Sequence, residues 1–137
     1  MRTASLALIL SASCLSVGAA NPATAGAGPA AGGDASKGQI EFNNHCRTCH
    51  TVNEGDNRLG PSLHNIFGSP AGQVEGFGNY SGGLTSSITW DEATLDKFIA
   101  NPQSVASNTT MTPFAGVEDA ETRKQIIQYL KEQKEGS

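Results

Sequence analysis

Cys46-Arg47-Thr48-Cys49-His50 constrains what this chain can fold into more than any other segment. It reads C-x-x-C-H, two thiols with an imidazole directly after them, which is the attachment sequence for a c-type haem. Each thiol can add across one vinyl group of a porphyrin, and the spacing lets both sulfurs reach the same ring edge. His50 then lies under the iron as the proximal ligand. Two other chemistries share part of the pattern. A thioredoxin-like redox pair also uses C-x-x-C but needs a βαβ context that is absent here. A zinc site needs further Cys or His at ligand spacing, and the chain has no second cluster. The reading is therefore one haem c, bound covalently through Cys46 and Cys49.

The start of the chain reads as an export signal. Arg2 is a short positive segment, Leu6 to Leu10 form an apolar heart, and Ala23-Thr24-Ala25 offers an A-x-A cleavage site. Residues 1–25 are thus expected to be a secretory signal, and 26–33, rich in Ala, Gly and Pro, a flexible lead. The apolar run is too short and too rich in serine for a transmembrane helix. Haem is attached in this way outside the bacterial cytoplasm, so the expected location is the periplasm. Cys14 raises lipid anchoring as a minor alternative, but the leucine such an anchor needs three residues earlier is replaced by Ser11. Cutting after Ala25 leaves Cys46 and Cys49 as the only cysteines, and no disulfide is expected once haem takes both thiols. What is left is one domain, 34–134, with 135–137 as a tail. The formal charge is −4; without Arg2, 8 basic groups face 13 acidic ones, or −5. Such a balance argues against nucleic acid or an anionic membrane surface as a partner.

Periodicity predicts an all-α fold. Asp34 or Ser36 can cap a first helix, with Ser36 and Gln39 in capping-box spacing and Phe42 and Cys46 on one face. From Gly60 to Gly83 the density of Gly and Pro predicts loops and turns with at most short helical pieces. Gly76-Phe77-Gly78 is no nucleotide loop, because no strand precedes it and no helix follows directly. A helix is predicted over 89–100, capped by Thr89 with Glu92 completing the box and stopped by Asn101-Pro102. A last helix is predicted over 119–134. Acidic residues at its start and Lys131 and Lys134 at its end suit the helix dipole. Ile126, Ile127, Tyr129 and Leu130 form its buried side. No run alternates as a strand would.

What occupies the other face of the iron separates a carrier from a catalyst. Met111 is the only methionine beyond the signal, and it follows the polar loop Ser107-Asn108-Thr109-Thr110. A His/Met pair raises the reduction potential and fills the coordination sphere. The ordinary alternative for a lone Met is core filler. The rival ligands are His45, whose place just before the attachment pair should aim it away from the distal face, and His64, in a loop after Leu63.

The pattern from Gly33 to Gln133 resembles the class I cytochrome c family, in its bacterial cytochrome c2 and mitochondrial-type branch. The resemblance is carried by Gly38 and Phe42, the haem motif, Gly60-Pro61-Ser62-Leu63-His64, Gly72-Gln73, Trp90, Asn101-Pro102, Met111 and Tyr129-Leu130. It implies four to five helices and loops wrapped around one haem c, with the first and last helices crossing at Gly38. It also implies that the Pro61 carbonyl orients His50, that Trp90 and Tyr80 donate to the haem propionates, and that Thr109 bonds a propionate or an ordered water. The chain departs from the family in places. Phe98 stands where many relatives carry a Tyr, and Ser69 where many carry a propionate-binding Arg. Ser107-Asn108 replaces a Pro-Gly, Thr112-Pro113-Phe114 carries an extra residue, and Tyr80 is offset by one. His45 and Thr110 stand where relatives place lysines.

The expected function is that of a soluble, monomeric one-electron carrier rather than an enzyme. It would serve redox partners such as a membrane oxidoreductase complex, a terminal oxidase or a dehydrogenase. The alternatives are a sensor or peroxidase-like enzyme with an open distal site, and a dedicated acceptor subunit of a dehydrogenase.

Overall fold

The computed structural model describes residues 33–135, so the expected signal at 1–25 and Cys14 lie outside the described residues. Three α-helices and one short 3₁₀ helix follow one another: α1 (Gly33–His45), α2 (Glu92–Ala100), the 3₁₀ helix Pro102–Ser104 and α3 (Ala120–Glu135). Among the described residues the helical pieces number four. The only β feature among the described residues is an isolated bridge between Pro70 and Thr89. The class is all-α, as the periodicity indicates. α1 already runs at Gly33, so Asp34 and Ser36 stand inside its first turn and not ahead of it as caps. Gly33, the first described residue, is already helical, and the rest of the expected lead lies outside the described residues.

α1 packs across α3, and the sequence makes this crossing possible at one residue. A Cβ on Gly38 would run into the backbone oxygen of Gln125 and stand 2.8 Å from the Cβ of Tyr129. Beside that contact the rings of Phe42 and Tyr129 lie 5.4 Å apart. Ile126 and Leu130 of α3 are the largest fully buried side chains. Their burial on the inner stripe of α3 outweighs the largely polar composition of the helix. Arg123 anchors the start of α3 to α2, donating to Asp96 at 2.6 Å and to the carbonyls of Val117 and Glu118.

Both later helices begin on an aspartate. Asp119 accepts from the Thr122 amide at 2.7 Å, just ahead of α3. Asp91 accepts from the Thr94 amide at 2.8 Å and caps α2. The expected cap, Thr89, is engaged elsewhere. The Trp90 amide donates to the Ser69 carbonyl, the Gly68 amide donates to the Trp90 carbonyl, and Thr89 pairs with Pro70. These long-range bonds hold 89–90 extended, so the helix starts later. Residues 46–91 otherwise contain no regular element, in keeping with their Gly and Pro content.

Two outcomes follow from this architecture. Gly38→Ala forces α1 and α3 apart; an overpacked contact costs about 2 kcal/mol, which lowers the midpoint of thermal unfolding by roughly 8–16 °C. Hydrogen bonds to the Thr94 amide and hydroxyl hold the Asp91 carboxyl below the ordinary carboxylate range. The stability this adds is present above the unfolded-state value and is lost as pH falls through the depressed folded value. Asp91→Ala should therefore lower the unfolding midpoint at neutral pH, with the deficit vanishing in strong acid.

Candidate haem site

α1 delivers the attachment segment directly. The Cys46 amide donates to the Phe42 carbonyl at 2.8 Å, and a tight turn then brings the Cys49 and His50 amides back to the Cys46 carbonyl at 3.1 and 3.0 Å. Beyond it, the chain reverses and lies against this turn. The Gly60 amide donates to the Cys49 carbonyl at 2.9 Å, and the Leu63 amide to the Thr51 carbonyl at 2.7 Å. Between these two bonds, His50 Nδ1 meets the Pro61 carbonyl at 2.7 Å. A carbonyl only accepts, so Nδ1 carries the proton and Nε2 keeps its lone pair. Burial pushes the His50 pKa below the ordinary imidazole value, with the Pro61 bond acting the other way. The ring is neutral at pH 7, the state a metal needs.

His50 faces an open-mouthed apolar cavity. Cys46, Pro61, Tyr80, Trp90, Thr109 and Met111 share its wall with His50. Among the described residues, no charged side chain lines it. Cys49 is half-buried in the adjoining turn. Cys46 is buried, and desolvation pushes its thiol up to about 12, so it stands as a neutral thiol. The cavity thus brings together a buried thiol, an imidazole with a free Nε2 and a thioether, inside walls suited to a flat apolar ring. These residues fit a covalently attached haem.

The polar tips around the cavity are arranged differently from one another. The Trp90 ring packs edge-on to Phe98 at 4.9 Å. The Tyr80 hydroxyl accepts a long bond from the Val74 amide at 3.4 Å, and Phe77 packs against its ring. The Thr109 hydroxyl accepts from the Met111 amide at 3.2 Å, so here it shapes the methionine turn. The rival histidines are placed elsewhere. His45 lies 3.5 Å from Glu41 on the outer face of α1. His64 has Nδ1 3.2 Å from the Val52 carbonyl and Nε2 3.0 Å from the Asn65 amide, away from the cavity.

Several residues have roles in the site that spacing does not show. Gly60 is one: a Cβ there would collide with the His50 ring, coming 2.7 Å from Nδ1. Asn108 and Thr110 are others. They donate to the carbonyls of Ser81 at 2.9 Å and Asn79 at 3.1 Å, and so tie the methionine loop to the loop opposite. The polar run before Met111 was the available signal, but the partners lie far off in sequence. Gly60→Ala should displace the imidazole and cut the yield of pigmented protein by about tenfold under equal expression. The measurement is haem absorbance per unit of purified chain.

The comparisons with known proteins agree with this site. Residues 33–130 match the family model described as "Cytochrome C oxidase, cbb3-type, subunit III". A cytochrome c of Gibberella zeae is 38% identical over 103 residues, which cover 74% of this chain and 96% of that one. Cytochrome c2 iso-2 of Magnetospirillum molischianum is 41% identical over 86 residues, covering 63% of this chain and 88% of the relative. Among solved structures, cytochrome cH from Methylobacterium extorquens superposes with a TM-score of 0.65 at 36% identity, covering 73% of this chain and 99% of that one. The chain belongs to the class I cytochrome c family, a carrier of single electrons on one covalently attached haem c and not an enzyme.

Proposed function

We propose that this chain is an exported carrier that works in the periplasm as a monomer, with its iron held between His50 and Met111. The observation that supports this best is the 2.7 Å bond from His50 Nδ1 to the Pro61 carbonyl, which leaves Nε2 directed at the same cavity that Met111 lines. When bound, the haem supplies a one-electron ferric–ferrous couple. Cys46 and Cys49 would hold the haem covalently, and His50 would bind its iron through Nε2. Met111 would bind the iron as well and leave no position for a small ligand. The apolar walls would exclude water, and Trp90 and Tyr80 would donate to the propionates. A soft thioether favours the ferrous state and sets a high potential.

Export rests on the arginine, apolar run and A-x-A site of residues 1–25. No helix among the described residues is long and apolar enough to cross a membrane. The partners are redox proteins, such as a membrane oxidoreductase complex, a terminal oxidase or a dehydrogenase. Their contacts with an electron carrier are small and short-lived.

Met111→Ala tests the ligand set. The far-red charge-transfer band of ferric iron bound to a thioether should vanish, and the reduced variant should bind carbon monoxide stoichiometrically. Its reduction potential should fall by more than about 59 mV, a tenfold change in the one-electron equilibrium. A band that persists in the variant, or rapid carbon monoxide binding by the unaltered reduced protein, would contradict Met111 as ligand.

A further inference from the structure

We propose that Asn57 is a positioning residue for the iron-binding imidazole, acting through the Pro61–Ser62 peptide to tune the reduction potential. One peptide plane is bonded at both ends. Its carbonyl, from Pro61, accepts from His50 Nδ1 at 2.7 Å. Its N–H, from Ser62, donates to Asn57 Oδ1 at 2.9 Å. The other end of the Asn57 amide donates through Nδ2 to the Glu75 carbonyl at 2.9 Å. Both partners are backbone groups of fixed polarity, so the orientation of the amide follows. Asn57 is half-buried and belongs to neither the haem motif nor the cavity wall.

The chemistry follows from the polarisability of an amide. Accepting a bond from the N–H moves electron density onto the carbonyl oxygen, and linked hydrogen bonds strengthen one another. A more negative Pro61 oxygen pulls harder on the Nδ1 proton. The imidazole then donates more strongly through Nε2, which favours the ferric state. The same contact has a geometric side. Ser62 Oγ donates to the Asn53 carbonyl at 2.5 Å, and Thr51 Oγ1 to the Asp56 carbonyl at 3.0 Å, so residues 51–62 form a closed knot. Among the described residues, Asn57 carries that knot's hydrogen bond to the separate loop at Glu75. It therefore fixes where the Pro61 oxygen points as well as how negative it is.

The inference rests on the His50–Met111 ligand set proposed above, and the test keeps the two apart. The ferrous-to-ferric ratio is measured at a fixed applied potential in the haem-loaded full chain and in Asn57→Leu and Asn57→Asp. Leucine removes the acceptor while keeping the shape; the ratio should rise about two- to fivefold, equal to roughly 18–41 mV. Aspartate keeps an acceptor and adds charge; the ratio should fall by about twofold or more. Mere loosening of the knot would move both variants in the same direction, and that result, or an unchanged ratio in Asn57→Leu, overturns the proposal. Should the leucine variant not take up haem, the sign of the shift in Asn57→Asp decides. In the unaltered protein the Ser62 amide should exchange with solvent about tenfold more slowly than that of exposed Gly55; equal rates also overturn the proposal. Absence of the far-red band in the unaltered protein speaks against Met111 ligation, whereas unmoved ratios in its presence speak against Asn57.

Discussion

The bond between the His50 imidazole and the Pro61 carbonyl is the contact on which the rest of the structure turns. It selects a tautomer, sets the rotation of the ring and leaves one nitrogen with a free lone pair. A histidine ring on a turn, without such a partner, would sample several orientations at little cost. Here two backbone bonds on either side, from Gly60 to Cys49 and from Leu63 to Thr51, hold the carbonyl in place. The absence of a side chain at Gly60 lets that strand of loop come close enough. Sequence order places the thiols and the imidazole together; the returning loop fixes the direction of the imidazole.

The fold around this contact is economical in regular structure. Two helices crossing at a glycine provide a rigid floor, and α2 is tied to it by Arg123 and Asp96. Nearly everything else that lines the cavity comes from loops. Loops keep a fixed shape only where their polar groups find partners, and these do: Asn108 and Thr110 bridge to the loop at 79–81, and Asn57 bridges to Glu75. A carrier of electrons benefits from that stiffness, since the same ligands must serve both oxidation states. The uncharged wall adds a low local dielectric, which strengthens each polar contact that remains inside it.

Much of this was legible in the residues, and the parts that were not share a cause. The haem motif, the all-α class, the inner stripe of α3 and the stop at Asn101-Pro102 depend on spacing within a few residues. The α2 cap was misplaced because Thr89 has the right chemistry for a cap but is paired with Pro70, a contact between distant segments. Asn57 carries no motif at all, and its role exists only because residues 62 and 75 are brought to its two ends. Gly60 was visible as part of a family pattern, but the reason for a glycine there is the ring of His50 ten residues earlier. Local rules reach the elements; the links among loops depend on the closed structure.

The central claim is that a haem is stitched to the turn after α1 and enclosed by the loops that follow. Peptide mapping of the purified protein after acid–acetone extraction tests it most directly. The account predicts that the pigment stays on the chain and that one haem mass is found on the peptide bearing Cys46, Cys49 and His50. Pigment that extracts freely, or a peptide with two unmodified thiols, would contradict it.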